Sequence, residues 1–305
     1  GKLFKGQGPI AWDVARQFAQ QIATEGVSEP NVDPVQRVKL VELARVAELH
    51  VANVTSLEPG VSGQPAAVVP ATRAQWAWAA LEAYRPLMDR LAERLATGPL
   101  PGELAAAEAQ ILDGLMRALN PMMMAMSAGS MAGHLATRAF GNYVLPIPRP
   151  DHQILILVGN VEEFSTEWSL PIEDVQLWVC IHEIAMHSVL SVPHVKGAFD
   201  RLLNKYIDGF QTDSRAFEDR FADLDIGSGD PAELQQTLQN ALGDPETMLG
   251  ALRSDAQAAV VPELESLLAL TVGYVDYVIE KVGTGLLGSY QSLSEVFRRR
   301  RVTAS

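Results

Sequence analysis

The sequence has one cysteine, Cys180, in 305 residues. That excludes an intrachain disulfide and fits a reducing, cytoplasmic setting. It is also short of positive charge, with 24 Lys and Arg against 37 Asp and Glu and a net charge of −13. Nucleic acid and anionic membranes are bound through clustered cations that displace counterions, so neither is an expected partner. The one basic run, Arg298 to Arg301, reads as the solvated last turn of a helix, where the dipole favours cations. No uninterrupted apolar stretch of about 18 residues occurs. The richest candidate, Met122 to Phe140, is broken by Ser127, Ser130, His134 and Arg138, and reads as a buried helix with methionine as core filler. The segment Gly1 to Gly8 is polar and lacks the apolar centre of a signal peptide. Several chemical signatures are missing as well. There is no Gly-x-Ser-x-Gly elbow, no phosphate loop and no Gly-x-Gly-x-x-Gly turn, and Asp225 to Asp230 lacks calcium-loop spacing.

What the chain does have is helical periodicity. Trp12, Ala15, Phe18, Ala19 and Ile22 define one helix face. Asp33-Pro34 opens a second helix to about Val54, with Val38, Val41, Leu43, Val46 and Leu49 as its apolar positions. Ser56 to Pro70 reads as a loop, and Thr72 starts a helix through Leu91. Thr97 to Gly102 and Asn120-Pro121 read as breaks on either side of a helix over 103–119. Small residues in the Met-rich segment predict close approach by another helix. Tyr143 to Pro148 reads as extended chain, and Ile154 to Val158 is the strongest strand signal. Ser169 and Pro171 open a helix whose first turn carries Glu173 and Asp174; it runs to about Ser191, where Pro193 ends it. A helix over 196–209 follows. Residues 224–257 read as a mobile insertion or lobe boundary. The last long helix, 262–282, is apolar almost all round and so is expected to be central.

Chemistry concentrates at His182-Glu183. In a His-Glu-x-x-His helix the two imidazoles lie one above the other and bind zinc, while the Glu is general base to the metal-bound water. Here position i+4 is Met186, a soft neutral thioether that suits zinc poorly. His187, at i+5, lies about 140° round the helix from His182, and His194 lies past Pro193. Spacing alone leaves both a core histidine and a metal site open. Cys180, on the same apolar helix, reads as an inert buried thiol.

Several stretches, in order, resemble the zincin-like metallopeptidases of actinobacteria and their relatives, a former domain of unknown function with one branch labelled as associated with deazaflavin coenzyme biosynthesis. They are Ala11 to Arg16, Gln75 to Trp78, Phe140 to Pro146, Ile154 to Asn160, Asp174 to Glu183, Thr271 to Ile279 and the Arg298–Arg301 run. The resemblance implies His182 as first zinc ligand and Glu183 as general base. It places the second ligand on Met186 and the third on Val272, with Asp276 left to orient a ligand histidine. It implies zinc as cofactor for the family, with its loss expected here because two ligand positions are apolar. Relatives continue past the Arg run, so a segment over the cleft is expected to be missing.

The expected fold is mainly α with a small β-sheet: an N-terminal helical region, 1–120, and a zincin-like core, 121–305, with the zinc-helix equivalent at 171–192 and the long helix at 262–282. The leading expectation is a homologue inactive as a zinc peptidase, its cleft open to a peptide or protein. The alternative is a working metal-dependent hydrolase using His182 and Glu183 with His187 or His194, holding peptide along the strand at Ile154 by β-addition. A small-molecule or coenzyme-binding protein is the third.

Overall fold

The computed structural model describes residues 8–57, 60–61, 64–96, 106–150, 152–210 and 254–304. Its elements are α1 (Trp12–Thr24), α2 (Pro34–Thr55), β1 (Gly60–Val61), β2 (Gln64–Pro65), β3 (Ala67–Ala71), α3 (Arg73–Ala96), α4 (Ala106–Arg138), a 3₁₀ turn (Asn142–Val144), β4 (Gln153–Leu157), α5 (Val158–Glu167), α6 (Ile172–Leu190), α7 (Pro193–Asp208), α8 (Asp255–Leu286) and α9 (Tyr290–Ala304). The fold is mainly helical with a small parallel sheet, as the sequence predicts. The 224–257 insertion falls mostly outside the described residues, and so does the break at 97–102.

The chain forms two compact units, one from Gly1–Ala11, Pro86–Ala125 and Arg201–Leu264, the other from Trp12–Arg85, Met126–Asp200 and Glu265–Ser305. In the first, Asp208 accepts from Arg90 Nε at 3.0 Å and Nη2 at 2.5 Å, and from Arg94 Nε at 3.1 Å. Gly209 accepts from Ser254 Oγ at 2.5 Å, and Gln257 Nε2 donates to the Tyr206 carbonyl.

The second unit is built around α6, which buries almost every side chain from Val175 to Leu190. It packs against α2 and α5. Asp33 caps α2 as expected, accepting from Val35 N at 2.8 Å. The buried face of α2 is Leu40, Ala44, Ala47 and Val51, whereas Val38, Val46 and Leu49 are exposed. Ala44 and Ala47 at the centre of that face let α2 approach α6 closely, and that close approach outweighs the larger apolar stripe. The same logic governs α4, which runs straight through Asn120-Pro121. Met122, Met123, Met126 and Met131 are exposed, while Ala125, Ala128, Ala132 and Ala136 are buried. Methionine is therefore not the core filler here. The glycines on that small face admit α1 as predicted: a Cβ on Gly129 would meet Ala15 O at 2.5 Å, and one on Gly133 would meet Ile22 Cβ at 2.6 Å.

The expected loop up to Pro70 contains a strand. β3 pairs parallel with β4, from Ala67 opposite Gln153 to Ala71 opposite Leu157. Pro70 is tolerated because β3 is an edge strand. The other side of β4 is taken by the segment before and in the 3₁₀ turn. Leu157 N donates to Phe140 O at 2.9 Å, Gly141 bridges Ile156, and the buried Asn142 side chain bonds Gln153 O and Leu155 N. Both edges of β4 are thus paired, which closes it to an added peptide strand. The extended reading of Tyr143 to Pro148 is corrected at its start, where Asn142–Val144 makes the 3₁₀ turn.

Gly159-Asn160 does not end the element but sits in the first turn of α5. Asn160 Nδ2 donates to Ala136 O and Ala139 O, satisfying the end of α4, and its Oδ1 accepts from Arg73 Nε at 2.6 Å. Ser169 does not cap α6; it takes φ +51°, and Pro171 is the residue preceding the helix. Pro193 opens α7 at an 81° bend from α6.

The long apolar helix is not central. Pro262 lies inside α8, and Leu270, Tyr274 and Tyr277 are exposed. By length and composition α8 could cross a bilayer, and only 17% of its most apolar window is buried.

Candidate functional site

The His182-Glu183 pair lies midway along α6 and opens onto a pocket of about 540 Å³. Four elements converge there: the end of α4, the 3₁₀ turn after it, α6 and α9. One turn before His182, Trp178 stacks on its imidazole with centroids 5.7 Å apart and planes 6° from parallel. Phe297 of α9 also stacks on Trp178, with ring centroids 3.6 Å apart. Phe297, Trp178 and His182 therefore form a ladder of rings along one wall. Asp174, in the first turn of α6, accepts from Ser289 N at 3.0 Å and Ser289 Oγ at 2.5 Å, which fixes the entry to α9.

Glu183 is almost fully buried, and both its oxygens are engaged. Oε1 lies 3.0 Å from His182 Nδ1, and Oε2 accepts from Tyr143 N at 2.9 Å. Gly141 makes this possible. A Cβ there would stand 2.5 Å from Glu183 Oε2 and 2.6 Å from its Cγ, so only glycine leaves room for the carboxylate. The Gly141 carbonyl in turn accepts from the indole of the fully buried Trp76 at 3.0 Å. Tyr143 bridges two of the predicted residues, since its hydroxyl lies 2.6 Å from Nδ1 of the buried His187.

The remaining predicted positions go elsewhere. Met186 is buried in the core of α6. His194 is exposed in the first turn of α7, past the 81° bend. Asp276 lines a second pocket, of about 290 Å³, with Tyr290 and Arg298. That pocket and the first share Trp178 and Phe297 as wall residues, but His182 and Glu183 line only the first and Asp276 only the second. Val272 is half-buried on α8.

These residues do not fit a zinc centre. Zinc in a peptidase takes three protein ligands and keeps a fourth position open. One imidazole, one carboxylate already bonded twice, a buried thioether and a valine do not supply that set. Among the described residues, no three His, Cys, Asp or Glu gather where one ion could bind them. Cys180 is fully buried, and burial, reinforced by the charge of Glu183 and Glu48, pushes its thiol up, which makes it an inert core residue.

Sequence reasoning missed Gly141, Tyr143, Trp178, Phe297 and the two arginines of the pocket, Arg138 and Arg300. Gly141, Tyr143, Trp178 and Arg300 fall in the blocks Phe140 to Pro146, Asp174 to Glu183 and the Arg run, read there only as resemblance, whereas Arg138 and Phe297 lie just outside them. The reading of the Arg run as the solvated end of a helix holds for the exposed Arg298 and Arg299 and is corrected at Arg300. Arg300 is half-buried, its guanidinium 3.6 Å from the Phe140 ring centre and bonded to the Arg138 carbonyl. Burial lowers its pKa to about 10, against the pull of Glu167, so it stays charged at neutral pH.

No curated protein matches this chain. A solved structure from Chloroflexus aurantiacus, described as that of a "putative hydrolase with a novel fold", superposes over 95% of this chain and 75% of that one, with a TM-score of 0.59 and 19% identity. That likeness is one of fold. The sequence profile of the zincin-like metallopeptidases matches residues 10–305, nearly the whole chain, and the protein belongs to that family.

Proposed function

We propose that this chain is a zincin-like homologue that has lost zinc peptidase chemistry and keeps the pocket over His182 and Glu183 as a binding site. The observation that carries the reading is the engagement of Glu183. The residue that would accept a proton from metal-bound water is bonded to His182 Nδ1 and Tyr143 N, while the i+4 ligand position holds the buried Met186. Loss of the ion removes the constraint on both Met186 and Val272, so two apolar replacements have one cause.

A working metal-dependent hydrolase would recruit His187 or His194. His187 Nδ1 is already paired with the Tyr143 hydroxyl inside the core, and His194 lies past the bend in the chain, so neither supports that reading. A buried, unreactive Cys180 suits a cytoplasmic protein as well as any other setting.

Elemental analysis of the purified full chain, with a peptidase assay on a mixed peptide library, tests the proposal. The expected result is substoichiometric zinc and no cleavage. Stoichiometric zinc that disappears in H182A would overturn it. Conversely, M186H combined with V272E should introduce zinc binding; no gain would refute the assignment of those two positions as former ligands.

A further inference from the structure

The pocket has a chemistry of its own that owes nothing to zinc. One wall is the ring ladder of Phe297 and Trp178, continued by Phe140. The other distinctive feature is a pair of guanidinium groups, Arg138 and Arg300, in a chain that carries 13 more negative than positive charges. Arg138 is exposed at the end of α4, and its guanidinium has no ion-pair partner among the described residues. Arg300 is held in place by the Phe140 ring and by the Arg138 carbonyl, so the two arginines are tied together through the backbone. Arg138 is among the charges that Arg300 feels. Two like charges brought together at the mouth of an apolar cavity are relieved by an anion.

Among the described residues, Glu183 is the one acid lining the same pocket. It is only 2% exposed, and both oxygens already accept hydrogen bonds, so its charge is largely answered from within. The positive charge lining the pocket is that of the arginines, offset in part at Arg300 by Glu167. A volume of about 540 Å³ falls in the range of small-molecule sites, which are mostly apolar with a few converging polar groups. Guanidinium groups pair with carboxylate and phosphate through two parallel hydrogen bonds, and flat rings stack on indole and phenyl faces.

From this arrangement we infer that the pocket binds a small organic anion: an aromatic body against Trp178, Phe297 and Phe140, and a carboxylate or phosphate group on Arg138 and Arg300. The inference rests on the reading of the cleft as a retained binding site and names the ligand class.

The test is calorimetric titration of the full chain with phenyl phosphate, phenol and inorganic phosphate, each in the presence of EDTA. Phenyl phosphate should bind about tenfold or more tightly than either fragment, because it alone uses both halves of the pocket. R138Q should weaken it by about tenfold while leaving the melting temperature unchanged, since that side chain is exposed at the end of α4. R300Q should weaken it too, but α9 depends on Arg300, so R138Q is the decisive variant. Phenol binding as well as phenyl phosphate, no measurable binding of phenyl phosphate, or an R138Q affinity equal to the parent's, would each overturn the inference. Metal content separates this from the proposed function. Zinc in the purified protein with R138Q-sensitive binding that survives EDTA would sink the loss of zinc and leave the anion site standing. A zinc-free protein that ignores phenyl phosphate would do the reverse.

Discussion

Replacing Gly141 by alanine should be among the most damaging single-methyl changes in the molecule. Gly141 has φ −158° and ψ −161°, extended backbone that alanine adopts freely, so no conformational strain is involved. The penalty is steric. The new Cβ would stand 2.6 Å from Glu183 Cγ and 2.5 Å from Oε2, whereas carbon atoms pack at about 3.5–4.0 Å. The carboxylate must move by roughly 1 Å, which costs about 1–3 kcal/mol as overpacking in a tight core. Moving it breaks the bond from Tyr143 N and leaves a buried N–H unsatisfied, for about 1–3 kcal/mol more. The sum is about 4 kcal/mol, the middle of a range of about 2–6. Urea unfolding followed by tryptophan fluorescence measures it, and faster hydrogen exchange at the Tyr143 amide localises it. The cause is isolated by a double-mutant cycle. With Glu183 already alanine there is no Cγ to hit, and the same glycine change should cost less than about 1 kcal/mol, a coupling of about 3 kcal/mol. Equal penalties in the two backgrounds, or a single penalty below about 0.5 kcal/mol, would refute the wedge of Gly141 beneath the carboxylate.

Two further outcomes follow from the titratable groups. Cys180 is buried with its thiol pushed up, so a thiol reagent at neutral pH should label the folded protein negligibly and the urea-unfolded protein fully; fast labelling of the folded state would place the side chain elsewhere. Asp208 is held below the ordinary carboxylate range chiefly by its hydrogen bond to Arg90, with Arg94 adding to it. Its contribution is present above the unfolded-state value of about 3.9 and is lost as pH falls through the lower folded value. Urea midpoints measured down the acid limb should therefore fall less steeply in D208N than in the parent, and parallel limbs would contradict the assignment.

Much of the helical frame was legible because it is local. Asp33-Pro34 marks the start of α2 through a side chain that caps its own helix, and the run Gln153 to Leu157 has enough β-forming residues to announce a strand. The partner of that strand was not legible. β3 is the Pro-containing Ala67–Ala71, which reads as loop, and it becomes a strand because β4 offers a parallel edge 86 positions later, from Ala67 to Gln153. The buried faces of α2 and α4 were misread for a related reason. Periodicity reports where large apolar groups recur, but close-packed helices bury alanine and glycine and leave Val38, Leu49 and Met123 outside.

The site divides along the same line. By itself the sequence determined that His182 and Glu183 share a helix with Met186 one turn after His182, since helical spacing is a local property; a ligand position at Val272 is what the family resemblance implies. Only the tertiary structure decided what surrounds them. Glu183 is bonded to the backbone of Tyr143 40 residues away, Gly141 makes the room for it, and Phe297 from the last helix completes the ring wall. Those contacts join segments far apart in the chain, and each exists only once the packing of α6 against its neighbours fixes which atoms meet.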